Sequence, residues 1–338
     1  MKRIFVILLL FSLFLTGCSE KKEQKQYTAT FLTLFDTVTT VIGRDVSEEA
    51  FSEKAQKVHD ALYDYHVLFD IYNDYESVNN LKTVNDNAGV APVQVDKKII
   101  DLILDLKKYD EMTHHRVNAA MGSVLSLWHE ARQDGINDPE NAYLPDENAL
   151  REAQKHIRFD SVIVDQEKST VFITDPDLSL DVGAVAKGWA AEKAAEISPE
   201  GLLISVGGNV VATGPKDEKG TPWVIGIQDP DSDKYLHTIY LTKGSVVTSG
   251  DYQRGYLVNG AYYHHIIDPE TLFPARLYRA VTVVCESSSL ADALSTALFL
   301  LPMDEGQALL DKCNAEAVWI DMEGKIHYSP AFQKLIRT

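Results

Sequence analysis

Apolar and polar residues follow two periods along this chain, and these periods predict most of its elements. Residues 31–42 are rich in β-branched and aromatic residues, which predicts a first strand. Residues 47–69 have helical spacing, with a serine suited to the N-cap and two glutamates in the first turn. Residues 96–113 predict a second helix, because isoleucines and leucines recur there along one side.

The segments that follow these two helices are more polar. Residues 70–81 carry interleaved tyrosines and form either the rim of a site for a planar ligand or a solvated loop with a short helix. Residues 116–130 predict an extended segment, a glycine and then a helix, and a short helix is expected from Asp146.

Hairpin signals dominate the second half of the chain. Residues 157–173 alternate around D-Q-E-K-S, and residues 202–214 read as two strands joined by a double-glycine turn. Further strands are predicted to continue this sheet, followed by a helix at 289–300 and a last helix and hairpin; the predicted strands are 224–228, 236–241, 245–248 and 281–285. Antiparallel hairpins with helices inserted between them predict an α+β fold rather than a doubly wound sheet.

One stretch, residues 179–192, combines a turn, a helix start and a cation in S-L-D-V-G-A-V-A-K-G-W-A-A-E. A buried strand is expected to end just before Asp181, Gly183 permits a tight turn, and a helix follows from Ala184. A helix start attracts anions through its unpaired N–H groups and its dipole, and Lys187 adds a cation one turn in. The alternative is an ordinary strand-to-helix connection, with glycine for geometry and lysine for solubility. The stretch is neither a Walker loop nor the G-x-G-x-x-G fingerprint.

The helix predicted at residues 289–300 carries a second chemical signal. Asp292 and Thr296 are four residues apart, so both side chains lie on one face of the helix. A carboxylate and a hydroxyl on one face suit a hard cation, which takes oxygen ligands. Alternatively, Thr296 bonds back to the carbonyl of Asp292, and Asp292 is only a first-turn charge.

The overall charge limits the classes of ligand. The 338 residues carry a formal net charge of −18, which argues against nucleic acid as a partner. A polyanionic substrate can bind only where local cations or a metal ion reverse the field. The length allows one large core or two modest lobes.

The N-terminus has the order of a secretory signal. Two basic residues precede an apolar run at residues 4–15, too short to span a bilayer, and the run ends in L-T-G-C. This ending resembles the bacterial lipoprotein cleavage box, in which Cys18 becomes the lipid-bearing first residue. We expect a signal peptide at residues 1–17, a polar tether at residues 18–28, and a mature protein lipid-anchored to the cell membrane on its extracytoplasmic side. The alternative is a plain secreted protein with an incidental cysteine.

Two further cysteines have no role that the sequence defines. Cys285 lies in a strand-like run and Cys313 in a helical run. They could pair outside the cytoplasm, or both could be buried free thiols.

Five segments together resemble one known family. They are L-D-V-G-A-V-A-K-G-W-A-A-E, I-S-V-G-G-N-V, T-S-G-D-Y-Q-R, H-H-I-I-D-P-E-T and D-A-L-S-T-A. Their order and spacing resemble the ApbE family, the FAD:protein FMN transferases, and weaker similarity extends over nearly the whole mature chain. The resemblance implies two closely packed lobes that share one site within residues 29–338. It also implies that FAD is cleaved at its pyrophosphate with Mg²⁺, that FMN is placed on a threonine of an exported or membrane flavoprotein subunit, and that AMP is released.

The same resemblance implies the residues of the site. The Mg²⁺ ligands are expected to be Asp292, Thr296 and the main-chain oxygen of Ala184. The FAD contacts are expected to be Phe35, Tyr72, Arg116, Val117, Asn118, Asp181, Lys187 and Ile266. His265 is the candidate general base, because an unperturbed histidine can hold or release a proton near neutral pH. Its alternative is a structural or flavin-stacking histidine.

The chain departs from the family pattern at three positions. Asn118 stands where a carboxylate is more common, which could alter how flavin or adenine is held. Leu272 follows Thr271 where glycine is usual, which is expected to alter only a turn. Phe35 replaces a common methionine and is expected to pack on FAD.

Two other functions fit parts of the sequence. The first is a Mg²⁺-dependent FAD pyrophosphatase, in which water replaces the threonine. The second is a lipoprotein that binds FAD without turning it over. Asp292 and Thr296 argue against the second, because binding alone requires no metal ion.

Overall fold

The computed structural model describes residues 23–337 of the chain. The helices in this range are α1 (Glu48–Phe69), α2 (Leu81–Asp86), α3 (Lys97–Met112), α4 (Gly122–Asn137), α5 (Glu147–Ala153), α6 (Ala186–Glu196), α7 (Ser288–Leu300) and α8 (Met303–Cys313). The strands are β1 (Lys25–Leu34), β2 (Thr37–Asp45), β3 (Val93–Gln94), β4 (Val162–Asp165), β5 (Thr170–Ile173), β6 (Leu202–Val206), β7 (Asn209–Ala212), β8 (Trp223–Gln228), β9 (Tyr235–Leu241), β10 (Gly244–Gly250), β11 (Gly255–Val258), β12 (Ala261–His264), β13 (Tyr278–Cys285), β14 (Glu316–Asp321) and β15 (Ile326–Tyr328). None of the helices in this range is long and apolar enough to cross a bilayer.

The predicted α+β class is confirmed. The main sheet has eight strands in the order β1-β2-β6-β7-β10-β13-β14-β15, and every neighbouring pair is antiparallel. Smaller antiparallel sheets form from β3-β5-β4, from β8-β9 and from β11-β12. The antiparallel pairing follows from hairpin connections, which join neighbouring strands through short turns.

Most predicted helices and hairpins are confirmed because their signals are local. Ser47 caps α1, with its side-chain oxygen accepting the N–H of Ala50. Asp96 and Asp146 cap α3 and α5 in the same way. The double-glycine turn joins β6 and β7, where Gly207 and Gly208 adopt φ of 57° and 92°. Two successive left-handed residues fit a two-residue hairpin turn, which glycine enters at no steric cost.

The single strand predicted at residues 31–42 is wrong. The segment is a hairpin, in which β1 and β2 pair around a turn at Phe35 and Asp36, with φ of 53° and 50°. An unbroken β-rich composition hides a turn made of non-glycine residues in the left-handed region. β1 begins at Lys25, so the last residues of the segment predicted as a tether form strand.

Leu178 and Leu180 are buried, but residues 178–180 do not form the predicted strand. The main-chain N–H and carbonyl of Leu180 bond to the side-chain amide of Asn85, at 2.8 and 2.9 Å. The carbonyl of Ser179 accepts the N–H of Gly122 at 2.9 Å. A distant side chain and a helix start thus satisfy backbone groups that a neighbouring strand would otherwise pair.

β8 and β9 do not continue the main sheet as predicted. They form a separate ribbon whose apolar side packs on the main sheet through Trp223 and Ile239. The helices α1, α6 and α7 cover the opposite face of the sheet. The alternating pattern of β8 and β9 fits a half-buried strand in either arrangement, so it does not specify the partner.

Two groups of elements face each other across a cleft, which agrees with the predicted pair of packed lobes. The larger group is the main sheet with the helices on its face. The smaller group packs α4 and α5 against β11 and β12 around the buried Trp128 and Tyr256. The indole N–H of Trp128 donates to the carbonyl of Leu272 at 2.9 Å and joins α4 to the segment after His265. Among the described cysteines, Cys285 and Cys313 are free thiols.

Candidate active site

The cleft between the two groups has a volume of about 930 Å³ and brings together every site residue that was predicted within the described part of the chain. These lining residues are Phe35, Tyr72, Arg116, Val117, Asn118, Asp181, Ala184, Lys187, His265, Ile266, Asp292 and Thr296. A cavity of this size can enclose a dinucleotide-sized ligand. Cys18, predicted to carry the lipid, lies outside the described residues.

Asp292 is a buried carboxylate placed between two helix segments. Its side chain is 4% exposed, its Oδ2 accepts the N–H of Gly188 at 2.8 Å, and Lys187 Nζ lies 3.9 Å from the same oxygen. Burial raises the pKa of Asp292, although Lys187 and the Gly188 N–H oppose the rise. The carboxylate is therefore short of positive charge, which is the condition that a bound cation relieves.

Both alternatives offered for Asp292 and Thr296 are excluded by the contacts. The carbonyl of Asp292 accepts the hydroxyl of Ser295 at 2.9 Å, and Thr296 lines the cleft instead. Asp292 is the fifth residue of α7 and lies beyond the first turn. Its carboxylate points away from the start of its own helix and reaches α6.

The oxygen atoms near Asp292 fit a hard divalent cation. The amide of Gly188 donates to Asp292, so the carbonyl of Ala184, its usual partner four residues back, remains outside the ladder of α6. Thr296 adds a hydroxyl on the same wall of the cleft. A carboxylate, a carbonyl and a hydroxyl match the all-oxygen preference of Mg²⁺, which keeps its other positions for water and phosphate.

The start of α6 differs from the free anion site predicted from its sequence. Gly183 N–H donates to Asp181 Oδ1 at 2.8 Å, and the N–H groups of Val185 and Ala186 donate to the carbonyl of Val182. Together with the bond from Gly188, these contacts occupy most donors of this turn. Phosphate binding here therefore depends on Lys187 and a cation more than on the helix start.

Asp181 and Lys187 lie on one wall of the cleft. Burial raises the pKa of Asp181, while the N–H of Gly183 and the nearby His129, Arg132 and Lys187 lower it. The ammonium of Lys187 is within 3.3 Å of the Gly183 carbonyl and is one-quarter exposed. It is therefore held near Asp292 while still reaching the cleft.

One main-chain carbonyl fixes the proton on His265. Nδ1 of His265 lies 3.2 Å from the carbonyl oxygen of Arg254, which also accepts the backbone N–H of His265 at 3.0 Å. A carbonyl can only accept, so the proton resides on Nδ1 and Nε2 keeps its lone pair. Burial and the charges of Arg254 and Lys187 lower the pKa of His265 to about 3. The side chain is thus neutral at physiological pH.

Phe35 and Tyr72 are aromatic residues at the cleft that other rings support. The N–H of Phe35 donates to His66 Nδ1 at 3.3 Å, and the two rings meet edge to face. The ring of Tyr72 is 55% exposed and stacks on His129 with centroids 5.3 Å apart. His129 Nδ1 accepts a hydrogen bond from Arg132 at 3.0 Å. Both rings therefore offer a surface on which a planar ligand can stack.

The segment from Arg116 to Asn118 is held mainly by protein contacts. Arg116 pairs with Asp268 at 3.1 Å and with Glu270 at 2.8 Å, so its charge is already balanced. The Asn118 amide donates to the carbonyl of Ile157 and accepts the N–H of Ala120, capping a short 3₁₀ helix. In place of the usual carboxylate, this asparagine therefore serves as a neutral cap.

The apolar residues Val117 and Ile266 complete this side of the cleft. Val117 is 2% exposed and Ile266 is 7% exposed, so each presents only a small apolar surface to a ligand. Ile266 follows directly after His265 and its carbonyl accepts the N–H of Ala275. This bond holds the segment on which the candidate base stands.

Sequence reasoning missed several polar residues of the cleft: Asn85, His129, Arg132, Asn209 and Arg254. Asn209 and Arg254 lie inside motifs that had been identified, I-S-V-G-G-N-V and T-S-G-D-Y-Q-R, so a signal for them existed. His129 and Arg132 follow Trp128 on α4, and no pattern marked them. Within residues 23–337, neither Arg132 nor Arg254 forms an ion pair with a carboxylate, so both cations remain available to an anionic ligand.

The geometry combines a carboxylate, a carbonyl and a hydroxyl with a lysine, a neutral histidine and two aromatic rings in one cleft. Such a set can hold a pyrophosphate through positive charge, stack a planar ring and accept a proton.

Comparisons with known proteins agree with this geometry. The model of the ApbE family matches residues 35–319. A protein from Treponema pallidum named FAD:protein FMN transferase is 31% identical over 88% of this chain and 87% of its own length. A Haemophilus influenzae protein of the same name is 27% identical over 98% of this chain and 97% of its own length. The crystal structure of the ApbE protein from Thermotoga maritima superposes with a TM-score of 0.82 at 28% identity, covering 93% of this chain and all of that one.

The family match spans most of the chain, and it includes the segments that form the cleft. The Treponema pallidum protein, which is 31% identical over most of both chains, supports the same assignment. This chain therefore belongs to the ApbE family.

Proposed function

We propose that this protein transfers FMN from FAD to a threonine hydroxyl of acceptor proteins, with Mg²⁺, and releases AMP. The proposal rests mainly on one observation. A single cleft is lined by three oxygen-bearing groups, a lysine and a histidine: Ala184, Asp292, Thr296, Lys187 and His265. The names of its relatives support the same reaction.

The oxygen set described above fits Mg²⁺, and Asp292, Thr296 and the Ala184 carbonyl would hold the ion. When bound, Mg²⁺ supplies Lewis-acid neutralisation of charge on phosphate oxygens. The residues of the chain that would remain for the substrate are Lys187, which is aimed into the cleft beside Asp292, and the two aromatic side chains of Phe35 and Tyr72.

His265 is suited to take the proton of the acceptor. Its Nδ1 proton is held by the Arg254 carbonyl, so only Nε2 can accept. The hydroxyl of a threonine attacks the phosphorus of the FMN half, and the bond to the AMP phosphate breaks on the opposite side. The hydroxyl proton passes to Nε2, and AMP leaves with the electron pair of the broken bond. A phosphate placed between Arg254 and Lys187 would counter the charges that lower the pKa of His265, and would make it a stronger base.

Hydrolysis is the second candidate, since water can attack where threonine does. The two nucleophiles differ little in size, so the cleft alone does not select between them. We propose that an acceptor segment displaces water from the site, and that hydrolysis is a slow leak in its absence. A protein that only binds FAD would not need a set of three oxygen ligands that includes a buried carboxylate.

We propose further that the protein is anchored by a lipid on Cys18 and faces the extracytoplasmic side of the cell membrane, where exported or membrane flavoprotein subunits are its acceptors. The L-T-G-C sequence at the end of the apolar run supports this location. Two acyl chains of a diacylglyceryl group suffice for stable anchoring, whereas one chain is marginal. Cys18→Ala should release the protein from the membrane fraction or leave it unprocessed. An unmodified Cys18 in the mature native protein, found by mass spectrometry, would refute the anchor.

The metal-dependent step is tested with FAD and Mg²⁺ by measuring AMP release. Asp292→Ala should abolish AMP release while the protein remains folded, and EDTA should do the same to the wild type. Arg158→Ala is the matched control, because this arginine is 77% exposed and meets only the exposed Asp160 at 3.7 Å. Undiminished AMP release in EDTA or in Asp292→Ala would exclude the proposed metal site.

A further inference from the structure

Asn209 is a buried side chain in the cleft with an unused hydrogen-bond donor. Its side chain is 2% exposed, and its amide nitrogen has no hydrogen-bond partner within the described residues. A buried amide without a partner costs about 1–3 kcal/mol, so folded proteins rarely keep one without a reason. Asn209 also lines the same cleft as Asp292 and Lys187.

The local fold fixes the position of this side chain. Asn209 is the first residue of β7 and pairs with Val206 across the double-glycine turn. The turn packs closely against β2, because a Cβ added at Gly207 would lie 2.6 Å from Thr37 Oγ1. The amide of Asn209 is consequently held at the cleft by a hairpin rather than by a mobile loop.

The surroundings define the kind of partner that the amide can take. The group is a donor, so it requires an acceptor oxygen. The adjacent Asp292 carboxylate already accepts the N–H of Gly188. The Asn209 amide lies close enough to this carboxylate to lower the pKa of Asp292, but its nitrogen does not reach full hydrogen-bond geometry with it. The remaining volume beside the amide is the cleft itself.

We propose that Asn209 is a substrate-binding residue that donates its side-chain N–H to a phosphate oxygen of the FAD pyrophosphate. The inference rests on the proposed function and adds a neutral donor to the charged groups at that site. A neutral amide suits this position, because it binds a phosphate oxygen without adding a charge beside the Asp292 carboxylate. The unsatisfied donor in the free protein becomes satisfied only when the substrate is bound.

This role predicts opposite effects on stability and on binding. Asn209→Ala removes a buried donor that has no partner, so the thermal midpoint of the free protein should stay unchanged or rise. The same variant should lower the affinity for FAD by about tenfold or more, because a hydrogen bond to a charged group is lost. Asn209→Asp keeps the shape of the side chain but places a second carboxylate beside Asp292. It should therefore lower the affinity for FAD still further.

Riboflavin and Asn80 provide the controls. Riboflavin carries no phosphate, so its affinity should be the same in wild type and Asn209→Ala. Asn80 is also fully buried, but its amide donates to the carbonyl of Asn73 at 2.8 Å and its oxygen accepts the N–H of Thr83. Asn80→Ala should therefore lower the thermal midpoint, as expected for an asparagine with a purely structural role.

The experiment combines flavin titrations of the full chain in EDTA, the FAD concentration dependence of AMP release with Mg²⁺, and thermal unfolding. Selective loss of FAD affinity in Asn209→Ala, with no loss of stability, supports the inference. Equal loss for FAD and riboflavin, unchanged FAD affinity, or a fall in thermal midpoint like that of Asn80→Ala would overturn it. If wild-type protein releases no AMP from FAD, the proposed function fails instead, and the titrations still report on Asn209.

Discussion

At the scale of single residues, the structure shows how contacts override the ordinary chemistry of a side chain. His265 was chosen as a base because histidine normally titrates near neutral pH. In the cleft, burial and two neighbouring cations lower its pKa to about 3, and one carbonyl fixes its tautomer. The position of His265 in the cleft was predictable from the motif around it. Its protonation state was not, because it depends on Arg254 and Lys187, which approach His265 only in the folded chain.

The pH dependence of the reaction follows from this lowered pKa. A base must be unprotonated, and His265 in the free protein is unprotonated at any pH well above about 3. We expect kcat/KM to stay level as the pH falls from about 8 to about 5, because this parameter reports the free enzyme. His265→Ala should lower kcat by about 10²- to 10⁴-fold across that range. An acidic limb near the ordinary histidine pKa that is lost in His265→Ala would contradict the lowered pKa, and undiminished kcat in His265→Ala would contradict the role of His265 as the base.

His265 also has a consequence for stability. In the unfolded chain it gains a proton as the pH falls through about 6.5, while in the folded protein it stays neutral until about 3. Protons therefore bind the unfolded state first, and the contribution of His265 to stability is lost progressively as the pH falls between these values.

Leu272 tests whether backbone strain or packing dominates at a departure from the family pattern. This buried leucine adopts φ of 64°, in the left-handed region where glycine is usual in the family. Leu272→Gly would relieve about 1–2 kcal/mol of strain but lose about 2–5 kcal/mol of buried side chain. We expect a net destabilisation of about 1–3 kcal/mol, measured from the urea midpoint.

Asn314 is the control for this comparison, because it is exposed and has φ of 50° at the end of α8. Asn314→Gly should change stability by less than about 0.5 kcal/mol, since asparagine tolerates this conformation. A Leu272→Gly protein more stable than wild type would mean that strain outweighs packing at this turn.

At the scale of elements, the contact between α6 and α7 builds the proposed cation site. Gly188 lets the two helices approach, since an added Cβ would lie 2.5 Å from the Cβ of Asp292 and 2.5 Å from the carbonyl oxygen of Ser288. The same approach brings the Gly188 N–H to Asp292 and leaves the Ala184 carbonyl outside the ladder of α6. One glycine thus determines both the position of the carboxylate and the availability of a carbonyl ligand.

Gly188→Ala adds only one methyl group, but it is expected to disrupt the site strongly. The methyl group would push Asp292 away and break the hydrogen bond from the Gly188 amide. We expect AMP release to fall more than tenfold, the Mg²⁺ concentration for half-maximal rate to rise, and stability to drop by about 1–3 kcal/mol. Ala190→Gly, also in α6 and buried, is a control that alters the helix but leaves Asp292 in place. Normal Mg²⁺ dependence in Gly188→Ala would show that the close approach is not needed.

Local patterns predicted elements well, and nonlocal contacts account for the errors. The cap of α1 and the double-glycine turn are encoded within a few residues, so they were predicted from the sequence. The buried residues around Leu180 resembled a strand, but their partner is Asn85, 95 positions away. The helix start at α6 resembled a free anion site, but Asp181, the Val182 carbonyl and Asp292 of α7 accept most of its N–H groups.

At the scale of the whole molecule, an acidic protein brings several cations together in one cleft. The chain has a net charge of −18, yet Lys187, Arg132 and Arg254 line the cleft together, among carboxylates that include Asp181 and Asp292. An anionic ligand can bind there through these cations and through a metal ion that offsets the carboxylates. The net charge argued against nucleic acid as a partner but could not show where the cations converge, because Arg132 and Arg254 come from elements far apart in sequence.

The identity of the nucleophile distinguishes a transferase from a hydrolase on this same scaffold. An acceptor must bring its threonine to the phosphorus that lies opposite AMP, so transfer depends on a second protein entering the cleft. Hydrolysis needs only water, and it would leave the metal site, Lys187 and His265 with the same roles.

The most direct test mixes the protein with FAD, Mg²⁺ and a candidate exported flavoprotein subunit, and measures covalent flavin on the subunit by intact mass. The control is the same subunit with its acceptor threonine replaced by valine. We predict one FMN attached per AMP released with the threonine subunit, no attachment with the valine subunit, and no attachment with Asp292→Ala enzyme. Accumulation of free FMN and AMP at the same rate with either subunit, with no labelled protein, would contradict the transferase account and establish a pyrophosphatase.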